Sequence, residues 1–73
     1  MFKDYQVPIV RILNQFQVIL YISHGLKPID VYVSKNINDD YKLVYVFDRE
    51  QSQILFNKFR NHELEIGSAI VTL

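Results

Sequence analysis

Tyr41-Lys42-Leu43-Val44-Tyr45-Val46-Phe47 decides the fold, because it is apolar on both sides of an extended chain. At the two-residue period of a strand, Leu43, Tyr45 and Phe47 share one face, and Val44 and Val46 share the other. A strand apolar on both faces belongs inside a sheet, with a neighbour on each side. The first neighbour lies just upstream. Ile29-Asp30-Val31-Tyr32-Val33-Ser34 alternates, with Ile29, Val31 and Val33 against Asp30, Tyr32 and Ser34, which suits an edge. Between the two runs, Lys35-Asn36-Ile37-Asn38-Asp39-Asp40 is turn chemistry, too long for a two-residue hairpin loop.

The second neighbour must come from one of the chain's ends. Residues 7–13 are β-branched and apolar, although Pro8 removes a ladder donor and Arg11 is awkward in a sheet centre. Residues 65–73, with Ile66, Ala69, Ile70 and Val71, form either a strand interrupted by Gly67 or a tail that orders on a partner. The fold class is α+β, a small antiparallel sheet with two helices, and if both ends pair the order is β-α-β-β-α-β. That is the split-βαβ or ferredoxin-like arrangement, in which the first and third strands are central.

Two helices complete that order. Asn14 is placed to cap a helix over residues 15–24, with Gln17 three residues on to close a capping box and Leu13 and Val18 as a hydrophobic staple. Gly25 and Pro28 end it. The spacing predicts a core arc of Phe16, Val18, Ile19 and Ile22, with Gln17, Tyr21 and His24 as a polar stripe on the far side. A second helix is expected over residues 49–61, capped by Asp48 with Gln51 in the return position. Glu50 sits at its positive end, and Lys58 and Arg60 at its negative end. Its buried stripe is Ser52, Leu55, Phe56 and Phe59, which leaves Ile54 outside.

Composition narrows the function. The chain has 73 residues, no cysteine and eight basic residues against eight acidic ones. One core is all that this length can bury, so residues 1–73 read as a single domain. Zero net charge disfavours a nucleic-acid clamp or a polybasic membrane anchor. The absence of cysteine excludes a disulfide framework and a thiolate zinc site. Residues 1–10 do not read as a signal peptide, and the longest apolar run, Val18 to Ile22, cannot span a bilayer, so a cytoplasmic setting is expected. A core this small, without disulfide or metal, raises the expectation of a homodimer.

No motif points to catalysis. His24 and His62 fall at the C-terminal ends of the two helices, where an imidazolium complements the dipole, and their spacing is not that of a helical zinc pair. Asp39-Asp40 reads as a hydrophilic turn, and no glycine-rich phosphate loop or nucleophile elbow occurs. The reading is therefore non-enzymatic, with no metal and no cofactor. Nucleic-acid binding through sheet aromatics such as Tyr32 is the alternative, disfavoured because basic and acidic residues are interleaved and no RNA-recognition signature is present. Protein interaction is preferred. Its expected surface comprises Tyr32, Val44 and Val46 on the sheet face that two helices leave open, Ile54 on the second helix, and Ile66 and Ile70 in the tail.

The stretch Tyr21-Ile22-Ser23-His24-Gly25-Leu26-Lys27-Pro28-Ile29-Asp30 is followed by Lys42-Leu43-Val44-Tyr45-Val46-Phe47-Asp48 and a helix through Phe56 and Phe59. Over about residues 14–64 this resembles a family of small uncharacterised proteins of phages and prophages of Gram-positive bacteria. In that family a short helix ends in a Gly-x-x-Pro turn, and a hairpin then leads through a capping residue into a second helix. The resemblance implies an intracellular setting and little more; the expected partner, a host or phage protein, would bind through the uncovered sheet face or the C-terminal segment. The resemblance supplies no catalytic residue and no cofactor.

Overall fold

The computed structural model describes residues 4–72, in the order β1 (Ile9–Ile12), α1 (Gln15–Ser23), β2 (Asp30–Lys35), β3 (Tyr41–Asp48) and α2 (Arg49–Arg60). The expectations for residues 1–3 and 73 fall outside that range. The fold is α+β: one three-stranded antiparallel sheet with two helices. β3 is central, in the strand order β1-β3-β2. β1 pairs with the end of β3, Val10 opposite Phe47 and Ile12 opposite Tyr45. β2 pairs along nearly all of β3, from Asp30 opposite Val46 to Lys35 opposite Tyr41. β1 and β2 thus run parallel, with α1 crossing between them and β3 filling the gap.

Residues directly opposite in an antiparallel pair share a face. Val10, Ile12, Val31, Val33, Leu43, Tyr45 and Phe47 therefore lie on one face of the sheet, and Arg11, Asp30, Tyr32, Ser34, Lys42, Val44 and Val46 on the other. Both helices contribute to a core on the first face. Ile12, Val18, Tyr21 and Phe47 form its buried centre, with Val10, Leu26, Tyr45, Leu55 and Leu64 packed around them. The Tyr21 and Phe47 rings meet edge to face, with centroids 5.3 Å apart and planes at 78°.

Local chemistry explains the helix ends. The Asn14 side chain accepts from the Gln17 backbone N–H at 3.1 Å, and Asp48 accepts from those of Glu50 and Gln51 at 2.9 and 3.1 Å. Both helices close with the same pair of backbone bonds. Gly25 N–H donates to Ile22 and Leu26 N–H to Tyr21 in α1, while His62 N–H donates to Phe59 and Glu63 N–H to Lys58 in α2. The residue that turns left-handed is Gly25 in the first case (φ 88°) and His62 in the second (φ 59°).

Three expectations are corrected. No strand forms over residues 65–72, so the sixth element of the β-α-β-β-α-β order is missing there and β1 is an edge rather than a central strand. That segment docks instead on the end of α1: Gly67 N–H donates to the Ser23 hydroxyl and Ala69 N–H to the Ser23 carbonyl, each at 2.9 Å, and His24 Nε2 donates to the Glu65 carbonyl at 2.6 Å. Three of the tail's backbone groups, the Gly67 and Ala69 N–H and the Glu65 carbonyl, thus find their partners at a helix end rather than on a strand. Gly67 is required at the contact, because a Cβ there would run into the Ser23 carbonyl.

The second correction is the roll of α1. Tyr21 is fully buried and belongs to the core, whereas Phe16, Ile19 and Ile22, assigned to the core arc, are exposed. The segment is apolar nearly all round, so its periodicity does not determine which side turns inward. Tyr21 can be buried because Gln17, one turn earlier, donates its side-chain amide to the phenol oxygen at 2.9 Å. That same bond occupies the side chain expected to close the capping box. The third correction, the burial of Val44 and Val46, bears directly on the site.

Candidate interaction surface

The helix-free face of the sheet is closed over its centre. Val44 and Val46, expected to form an open apolar patch, are 4% and 0% exposed. Arg11 on β1 donates from Nε to the Tyr32 hydroxyl on β2 at 3.1 Å, and since β3 lies between those strands, this bond arches over the two valines. On the same face the Tyr5 hydroxyl donates to Asp30 Oδ2 at 2.9 Å. The Arg11 stem supplies apolar cover while its guanidinium meets solvent. Arg11 was awkward only for a central strand; on an edge strand it is well placed.

The open apolar surface is on the other face, at the far end of the hairpin. Val31, Val33, Tyr41 and Leu43 share the helix-facing side, and all four are exposed, Val33 to 63%. Length explains this. At about 1.5 Å per residue, the nine residues of α1 reach about 14 Å and the twelve of α2 about 18 Å. At about 3.4 Å per residue, the eight residues of β3 reach about 27 Å. The helices pack mainly on β1 and the Phe47 end of β3, so the end near the turn projects beyond them.

The turn itself is well built. Asn36 Oδ1 accepts from the N–H groups of Asn38 and Asp40 at 2.9 and 3.1 Å, Asp39 adopts φ 63°, and Lys35 pairs with Asp39 at 3.0 Å. The projecting hairpin is therefore a structured arm with Ile37 at its tip, almost fully exposed.

The remaining expected surface residues scatter. Tyr32 is half-buried and tied to Arg11; Ile54 is exposed on α2 beside Gly25 and Leu26; Ile66 and Ile70 are exposed on the tail. The six do not make one surface, because the two at its centre are buried. Val31, Val33, Tyr41 and Leu43 were missed as surface residues. The short predicted helices were the signal that could have found them.

Sequence reading also missed a cleft of about 390 Å³ between β1 and the first turns of the two helices, with Gln17, Tyr21, Arg49, Ser52, Gln53 and Phe56 in its lining. Burial pushes the Tyr21 phenol above its ordinary pKa, and the Gln17 amide offsets part of that rise. Among the described residues, every buried side-chain nitrogen or oxygen has a partner, and no group of His, Asp and Glu is arranged to hold a metal ion. His24 and His62 end the two helices, where their sequence positions put them. Among the described residues, no helix is long and apolar enough to cross a membrane.

Comparison with protein-family models, curated proteins and solved structures returns no match to this chain.

Proposed function

We propose that this chain is a small non-enzymatic interaction module that self-associates and acts on a host or phage protein, in the intracellular setting that the phage and prophage resemblance implies. The observation that carries this reading is the projecting hairpin with Val31, Val33, Tyr41 and Leu43 exposed on one side. Apolar side chains clustered on a structured element are characteristic of association surfaces. The β1-α1-β2-β3-α2 arrangement is consistent with a ferredoxin-like core that lacks its last strand.

Sedimentation equilibrium over a range of concentrations tests the reading. The expected result is a mass above 8.7 kDa that falls to the monomer value with Val33→Lys, while the circular dichroism of the fold is retained. A wild-type chain that stays monomeric at millimolar concentration overturns it.

The nucleic-acid alternative keeps one supporting observation: Arg11, Tyr32 and Lys42 share the helix-free face. It predicts retention on single-stranded RNA at low salt that weakens with Lys42→Ala and Tyr32→Ala. No retention at low salt removes it.

A further inference from the structure

We propose that the cleft beside β1 is a binding site for a small organic acid, a molecule with one carboxylate and an aromatic or branched apolar body. This site stands apart from the association surface above: it lies along β1, whereas the exposed hairpin end is built by β2 and β3.

The cleft's volume, about 390 Å³, falls at the low end of the roughly 300–1,000 Å³ of small-molecule sites, which is room for one compact molecule rather than a length of chain. Part of its wall is apolar. Val10, Leu13 and Phe56 border it, and Leu13 and Phe56 are exposed. Phe56 follows the buried Ser52 by one helical turn, yet its ring stays out of the core and stands at the cleft. An apolar body laid against these side chains removes their surface from water.

The charge at the cleft has one sign. Across the whole chain eight basic residues balance eight acidic ones, but among the described residues the lining includes two arginines and no aspartate, glutamate or histidine. Arg11 is committed elsewhere, to the Tyr32 hydroxyl on the helix-free face. Arg49 remains. It occupies the first position of α2, at the positive end of the helix dipole, where a cation is disfavoured. Among the described residues no carboxylate lies within ion-pair distance of its guanidinium, and no hydrogen bond engages that side chain. A carboxylate in the cleft would take two of the guanidinium's N–H groups and would itself be favoured by the same dipole.

Tyr21 supplies a neutral donor. It is fully buried, borders the cleft, and accepts the Gln17 amide on its phenol oxygen at 2.9 Å. A hydroxyl that accepts still has its own proton to give, and among the described residues no acceptor takes it. A buried donor left unused costs stability, and an oxygen of a bound acid would satisfy it. Arg49 from the rim and Tyr21 from the interior thus both call for an acceptor, and the acceptor that Arg49 favours carries a negative charge.

Titration of the isotope-labelled chain with phenylpropionate, followed by backbone amide shifts, tests this. About a dozen non-hydrogen atoms give millimolar affinity at ordinary ligand efficiency, so a saturable shift in that range is expected, confined to residues 10–17 and 49–56. Arg49→Gln, at an exposed position, should keep the spectrum of the folded chain and weaken binding about 10-fold. Phenylpropanamide, with the same body and no charge, should bind the unaltered chain about 10-fold more weakly than the acid. Tyr21→Phe should weaken the acid about 5-fold. No saturable shift by ~20 mM overturns the site. Equal binding of acid and amide, or an affinity unchanged by Arg49→Gln, overturns the pairing of a carboxylate with Arg49. Tighter binding of N-acetyl-leucyl-phenylalanine than of phenylpropionate assigns the cleft to the end of a protein chain and overturns the small-molecule class.

Discussion

The two ends of β3 have the same alternation and opposite fates. At one end Phe47 and Val46 are sealed, between the helices on one side and the Arg11–Tyr32 bridge on the other; at the other end Leu43 and Tyr41 stand in solvent. Residue type does not separate them, since Leu43 is apolar like Phe47 and lies on the same face. What separates them is reach: the helices end before the hairpin does. Apolar pattern therefore marks capacity for burial, and the lengths of the neighbouring elements determine which part of that capacity one chain uses.

Truncation should break the comparison most clearly. Phe47→Ala is expected to cost about 3–5 kcal/mol in a urea titration, because it empties the centre of the core and removes the ring that meets Tyr21. Leu43→Ala, on the same face four residues away, should cost less than about 1 kcal/mol under conditions where the chain is monomeric. Equal costs would show that the hairpin end is buried within a single chain.

An intermediate effect is expected where the tail seals the covered half. Gly67→Ala forces a Cβ against the Ser23 carbonyl, so a loss of about 1–3 kcal/mol is expected, together with faster exchange of the Ala69 amide. An unchanged midpoint and unchanged exchange would show that the tail's docking adds nothing to the covered end.

The smallest expected effect is electrostatic. Tyr21 has a folded-state pKa raised above its unfolded value, so its contribution is complete below about pH 10 and is lost as pH rises through the folded-state value. Tyr21→Phe should flatten the fall in stability above about pH 10, measured as denaturation midpoints across that range, and leave neutral stability less affected than Phe47→Ala does. A fall of the same steepness in the variant would assign the alkaline loss to other groups.

His62 sharpens the account of how helices stop. It holds at the end of α2 the left-handed conformation that Gly25 holds at the end of α1. His62→Gly is expected to raise stability by about 1 kcal/mol or less, the relief of left-handed strain net of glycine's greater freedom in the unfolded chain.

Much of this was legible in the sequence because it depends on neighbours along the chain. The caps at Asn14 and Asp48, the stop at Gly25, the hairpin around residues 36–40 and the central position of β3 all follow from residues within a few positions of one another. Of the stripe expected on α2, Ser52, Leu55 and Phe59 turn inward, because that helix is polar on most of its other sides, whereas Phe56, assigned to the same stripe, is exposed. The interaction surface was less legible. Val44 and Val46 were read as open, and Arg11 and Tyr32, which meet on their face, stand 21 positions apart in the chain. The roll of α1 was misread because the segment is apolar nearly all round, and the difference lies in one ring contact with Phe47 and one amide from Gln17.

Sequence alone determined where the two helices and the hairpin begin and end, since caps, turn residues and two-residue alternation are short-range chemistry. Only the tertiary structure decided which apolar residues are spent inside the molecule and which are left for a partner. That choice depends on the length of one element against another and on polar groups brought together from distant parts of the chain. Here it closes the face that periodicity left open, and exposes the hairpin end that the same periodicity could not distinguish from the core.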